Sequence, residues 1–173
     1  MDHFALPDDE IARAAQAGVL HRNFMGYTVK PASDMVGVGV SSIGDVAGAF
    51  AQNTKKLSTY YENLDAGRFP VERGYVLDAD DRIRRHVITQ LMCNFRVAWA
   101  DVQQRFGIEA QAYFAGERRV LAEGPATHGL VALDDNGIDV LPMGRFFVRN
   151  ICMIFDRHLR EQTGGTPVFS RTV

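Results

Sequence analysis

Several things are scarce in this chain, and each scarcity removes a class of function. Among 173 residues there are two cysteines, Cys93 and Cys152. Two separated thiols cannot by themselves hold zinc or an iron–sulfur cluster, and their apolar helical surroundings read as sites for buried thiols. The five histidines (His3, His21, His86, His128 and His158) form no His-x-x-x-His pair, so none reads as a metal site. Lysine is confined to Lys30, Lys55 and Lys56, and the net charge is -2. That balance gives no strong field for nucleic acid or an anionic membrane. No stretch approaches the ~18 apolar residues of a membrane span. Met1-Asp2-His3-Phe4 lacks the basic-then-apolar design of a signal peptide, so the expected address is the cytoplasm.

What is present reads as a globular protein, with 46% hydrophobic and 23% charged residues. Pro7-Asp8-Asp9-Glu10 places acids at the start of a helix that stops at Gly18. Residues 19–28 are expected to be extended. The run Met35-Val36-Gly37-Val38-Gly39-Val40 has no polar alternation, which predicts a strand covered on both faces, as in parallel α/β sheets. One such strand cannot complete a sheet, so the chain reads as though neighbouring strands are missing. A helix is expected over 51–64, with Leu57, Tyr60, Tyr61 and Leu64 on one stripe, and a short strand over 73–77.

Beyond residue 75 the composition turns arginine-rich and helical. Asp78 to Asp81 supply N-cap candidates for a helix reaching about Phe95, with Ile83, Val87 and Leu91 as its apolar stripe. Helices follow over 100–106 and 110–123. Two apolar runs, 129–133 and 137–141, flank Asp134-Asp135-Asn136, a hairpin signal. Residues 144–162 read as one long final helix, and 163–167 as a loop. Three helices, a hairpin and a helix make a winged-helix-like arrangement. DNA binding is disfavoured because the segment carries no net positive charge and the turn would present Asp134 and Asp135 to phosphate.

Gly37-x-Gly39 lacks the third glycine of a dinucleotide motif. Ser41-Ser42-Ile43-Gly44 would lie at the carboxyl end of the expected strand, where α/β folds collect ligands. Apolar Ile43 could there pack on a flat ring such as adenine, or simply join the core.

Larger blocks carry a specific likeness. Met1-Asp2-His3-Phe4-Ala5, His21-Arg22-Asn23-Phe24-x-Gly26-Tyr27 and Asp34-x-x-Gly37-x-Gly39-Val40-Ser41 resemble the oxygen-independent coproporphyrinogen III oxidase family. So do Tyr60-Tyr61, Ile83-Arg84-Arg85, Cys93-Asn94-Phe95, Arg149-Asn150-Ile151-Cys152-Met153 and Phe169-Ser170-Arg171. The likeness runs in order along nearly the whole chain.

The resemblance implies an α+β fold, with residues 1–75 as the end of a partial (β/α) radical-SAM barrel and 76–173 as a mostly helical, winged-helix-like C-terminal domain. It implies S-adenosyl-L-methionine and a [4Fe–4S] cluster as cofactors, coproporphyrinogen III as substrate, and a place in heme biosynthesis. The family's Cys-x-x-x-Cys-x-Cys cluster motif is absent from this sequence, so an N-terminal barrel half is an implied partner and the chain alone is expected to be inactive. Ile43 matches a position that touches S-adenosylmethionine, and Phe24 and Met25 match the lining of a second such molecule. There the family's familiar Phe-Gln-Gly-Tyr has Met25 in place of glutamine, and a thioether cannot donate an amide's hydrogen bonds. The alternative is a heme-pathway binding module without catalysis.

Overall fold

In a computed structural model, which describes residues 4–161, the segment up to Val76 holds two small antiparallel sheets and the remainder is a mainly helical body with a third. Asp9 caps α1 (Glu10–Gln16) by accepting from the Ile11 amide at 2.8 Å. The hairpin β1 (His21–Asn23) and β2 (Gly26–Thr28) follows. A second sheet is built from β3 (Ile43–Val46), β4 (Ala49–Asn53) and β5 (Val71–Val76), with α2 (Leu57–Asp65) between the last two strands. Ala47 and Gly48, both at positive φ, form the two-residue turn that joins β3 to β4.

The expected doubly covered strand at 35–40 is not there. Met35 makes one isolated bridge to Asp45, while Val36 and Val38 stand 76% and 84% exposed. Gly39 at φ +99° and Ser41 at φ 58° turn the chain away from a continuous extended path. All pairing between the described strands is antiparallel. The helix expected from residue 51 begins at Leu57, because residues 49–53 form the central strand between β3 and β5. The stripe of Leu57, Tyr60, Tyr61 and Leu64 does lie on α2, yet that helix buries none of its residues. Among the described residues between Leu20 and Leu77, Pro70 alone has a buried apolar side chain.

From Asp78 onward the core is continuous. Asp78 and Asp81 form a reciprocal capping box at the start of α3 (Ala79–Asn94). Ile83, Val87 and Leu91 are buried as their spacing requires. They pack with Val102 of α4 (Trp99–Phe106), Leu121 of α6 (Ala115–Glu123), Ile138 and Phe155. The expected hairpin is β7 (Val131–Leu133) and β8 (Gly137–Val140), joined by β6 (Arg96–Ala98) as a third strand. Asp134 Oδ1 closes its turn by accepting from the amides of Asn136 and Gly137. Helices flanking this three-stranded sheet give the winged-helix-like order, and the whole is α+β.

Two expected helices are interrupted. The third breaks at Phe114, between α5 (Ala110–Tyr113) and α6, where burial of that ring against Trp99 and Phe155 outweighs helical continuity. The last divides into a 3-10 turn (Gly144–Phe147), α7 (Val148–Met153) and α8 (Arg157–Glu161). Asp156 Oδ1 accepts from the amides of His158 and Leu159, starting a new helix at that point. His3, the loop at 163–167 and Phe169-Ser170-Arg171 lie outside the described residues.

Candidate functional site

The tip of the β1–β2 hairpin is set by one side chain. Asn23 Oδ1 accepts from the amides of Met25 (2.8 Å) and Gly26 (3.1 Å), an Asx turn that Gly26 completes at φ 138°. Phe24 and Met25 are thereby presented at the tip, 50% and 78% exposed. The Phe24 ring meets Phe50 of β4 edge-to-face, with centroids 5.2 Å apart.

Phe50 lies opposite Asp45, and Gln52 opposite Ile43, in the antiparallel register. Alternation along a strand then puts Ile43, Asp45, Phe50 and Gln52 on one face. Two of the three sequence-predicted contacts, Phe24 and Ile43, therefore address the same sheet face, with Phe50 between them. Met25 shares the tip but makes no described side-chain contact with either. Ile43 is half-buried and opens β3, rather than following a strand's carboxyl end as expected.

The Gly37–Gly39 segment is fastened beside this face. Asn53 Nδ2 donates to the carbonyls of Gly37 (3.3 Å) and Gly39 (2.9 Å), and the Gly39 amide donates to the Tyr60 hydroxyl (3.1 Å). A Cβ at Gly37 would come within 2.9 Å of the Ile43 carbonyl carbon. Glycine here permits close backbone approach.

Next to the hairpin lies a cleft of about 450 Å³, walled by β1, the β3–β4 turn, α3 and the end of α4. Four arginines line it (Arg22, Arg82, Arg85 and Arg105) against a single carboxylate, Asp45. Arg85 is ion-paired with Asp45 and lies over the Phe50 ring at 5.1 Å. Among the described residues, neither Arg82 nor Arg105 has a carboxylate partner. His86, also lining the cleft, has its Nε2 buried without a hydrogen-bond partner. Burial, with the nearby Arg105 charge, holds its imidazole below the usual histidine range and so neutral at pH 7.

An iron–sulfur cluster does not fit the residues described. Burial pushes the Cys93 thiol up to about 11 and the Cys152 thiol up to about 12, against the thiolates a cluster requires. No group of three potential metal ligands converges among the described residues. Nor is any described helix long and apolar enough to cross a membrane.

Sequence reasoning missed Phe50, Asn53 and the cleft's arginines as a set. Two strands and a helix separate Asp45 from Arg82 and Arg85 along the chain, and only the folding of the β3–β4 hairpin against α3 brings them together. The composition shift to arginine near residue 76 is the one available signal.

Residues 77–147 match the family model described as the HemN C-terminal domain. Over the whole chain, 46% of residues are identical to the oxygen-independent coproporphyrinogen III oxidase of Escherichia coli K12, covering 37% of that protein. The Pseudomonas aeruginosa protein of the same name is 47% identical over 92% of this chain and 34% of its own length. A solved Escherichia coli structure, described as coproporphyrinogen III oxidase (HemN), a radical SAM enzyme, superposes with TM-score 0.88. It is 46% identical and is matched over 91% of this chain and 36% of that one. The chain thus spans about a third of the length of these relatives.

Proposed function

Because the chain belongs to the oxygen-independent coproporphyrinogen III oxidase family, we propose that it serves as the C-terminal part of such an enzyme in heme biosynthesis. The complete enzyme would oxidatively decarboxylate two propionates of coproporphyrinogen III to vinyls, giving protoporphyrinogen IX. The single observation that carries this reading is identity near one half maintained along the entire chain. Residues 1–75 would supply the last elements of the radical-SAM barrel and residues 76–173 the C-terminal domain. The family match beginning at residue 77 supports that division.

The cluster and S-adenosylmethionine supply the radical chemistry when bound; this chain's contribution is enclosure and orientation. Ile43 would contact one S-adenosylmethionine, and Phe24 and Met25 a second. The common sheet face of Phe24 and Ile43 supports that assignment, since two such molecules bound side by side would share it. The exposed Val36 and Val38, and the scarcity of buried apolar side chains over 21–76, support a covering by another part of the enzyme. The cytoplasm is the address that fits such chemistry.

The test is a chimera in which this chain replaces the corresponding C-terminal part of the Escherichia coli enzyme. With reconstituted cluster, it should convert coproporphyrinogen III, while the 173-residue chain alone should not. A chimera that folds and holds its cluster yet shows no turnover would contradict the reading, as would turnover by the chain alone.

A further inference from the structure

The arginine-lined cleft has a chemistry that the candidate cofactor contacts do not use. Its walls bring four guanidinium groups together around about 450 Å³ with one carboxylate among them. Arg85 is already committed to Asp45. Arg82 and Arg105 are not committed to any described carboxylate, and the guanidinium of Arg82 lies against Gly48, where a Cβ would come within 3.1 Å of Nη2. A side chain at position 48 would therefore crowd that guanidinium. The Arg82 and Arg105 side chains are exposed and Arg105 lies over the Phe106 ring at 5.7 Å, so water screens their mutual repulsion, while their forks stay open to an anion.

His86 adds a second, independent pointer. Its ring is held edge-on to Phe106, centroids 5.5 Å apart, and its Nε2 is buried without a partner. A buried polar atom left unpaired costs free energy, and a small rotation of this half-buried ring toward the cleft would let a ligand oxygen satisfy it. In the Nε2–H tautomer it donates, so the complementary group is an acceptor. Arginine forks and a single neutral donor together match a carboxylate.

We propose that this cleft binds substrate carboxylates, with Arg82 and Arg105 holding propionate groups at one edge of a tetrapyrrole and His86 donating to the same oxygens. The identity of the substrate rests on the proposed function; the anion site itself does not. A cleft of this size takes an edge of the macrocycle and leaves the rest projecting. The direction of projection is suggested by a short chain of contacts: Arg85 lines the cleft and covers Phe50, and Phe50 carries Phe24. Carboxylates bound here would leave the remaining substrate near the face that Phe24 and Ile43 share.

The experiment is a fluorescence titration of the 173-residue chain with coproporphyrin III, the stable oxidised tetracarboxylate, and with its uncharged tetramethyl ester. The acid should bind at least about tenfold more tightly than the ester, and its affinity should fall as salt rises. Arg82→Gln and Arg105→Gln should each weaken the acid about tenfold without affecting the ester. Arg82→Lys, which keeps charge but not the fork, should lie between. His86→Phe should weaken the acid while thermal melts confirm that each variant is folded. Equal binding of acid and ester overturns the proposal, as do folded arginine variants with unchanged affinity, or no binding of either probe. Should the chimera turn over while the arginine variants bind normally, the cleft assignment fails and the family function stands. Arginine-dependent binding of the acid beside a dead, cluster-loaded chimera would instead uphold the cleft and overturn the family function.

Discussion

Glu117 and Arg84 meet at 2.7 Å between α6 and α3, in the interior of the helical half. Glu117 also takes Arg160 at 2.7 Å, while Arg84 reaches Asp80 (2.8 Å) and the Phe155 carbonyl (3.1 Å). Truncating one member of such a set leaves its partner charged and short of acceptors. Glu117→Ala should cost about 3 kcal/mol, because removal of one buried partner strands the other. Glu117→Gln retains an acceptor and should cost roughly half as much. Urea denaturation of the two variants gives the comparison.

The same network sets how the fold responds to acid. Burial opposes ionisation of Asp81, but the Tyr75 hydroxyl (2.8 Å), the Asp78 amide (3.1 Å), His158 and the Arg157 charge outweigh it and hold the carboxyl below its ordinary range. Asp80 and Glu117 are lowered likewise, against the same opposing burial. Each therefore binds its proton less readily folded than unfolded. The stability they contribute is complete above the ordinary carboxylate range and is lost as pH falls through it towards the depressed values. Melting temperature followed by circular dichroism should hold steady from pH 7 to about pH 5 and then drop. Asp81→Asn should be less stable at pH 7 and show a shallower fall in acid.

Glycines separate into those that packing requires and those it merely tolerates. A Cβ at Gly137, in the central strand β8, would overlap the carbonyl oxygen of Val97 on β6. At Gly116, inside α6, it would meet nothing within 4 Å. Gly137→Ala should thus destabilise by about 2 kcal/mol or more, and Gly116→Ala should stabilise by about 0.5 kcal/mol through a better helix propensity. Equal effects at the two positions would refute this separation.

Sequence alone goes further with the helical half than with the sheet-rich segment before it, for a physical reason. On α3 the cap, the stripe and the core are all local or period-coded, so Asp78, Ile83, Val87 and Leu91 declare themselves. The valines at 36, 38 and 40 carry an equally clear apolar signal, but hydrophobicity says only that a residue prefers cover. It does not say which chain supplies the cover, and here Val36 and Val38 have none within the described residues. Residues 51–53 of strand β4 read locally as the start of a helix because one partner, β5, arrives only after α2, and pairing with it and with the adjacent β3 overrides the local pattern. At the candidate site, Phe24, Met25 and Ile43 could be named through resemblance, whereas Phe50, which links two of them, carries no motif. The interruptions at Phe114 and Asp156 are hidden for the opposite reason: both sit in helix-compatible sequence, and tertiary packing or a capping side chain decides the break.

Met25 offers a direct reading of cofactor contact. Its side chain is largely exposed, so Met25→Gln should change stability by less than about 0.5 kcal/mol. In the chimera the restored amide should tighten S-adenosylmethionine binding by several-fold, since it adds donor and acceptor atoms where a thioether has at most a weak acceptor. Isothermal titration of both forms provides the measurement. Unchanged affinity would remove position 25 from the cofactor's surroundings.

Asn23 lends that comparison its cleanness. By engaging both neighbouring amides, it decides the hairpin's curvature without assistance from the side chain that follows Phe24. Shape and chemical identity are thus encoded one step apart, in different side chains. A lineage could exchange sulfur for amide at this apex, and back again, without ever having to rebuild the bend that carries it.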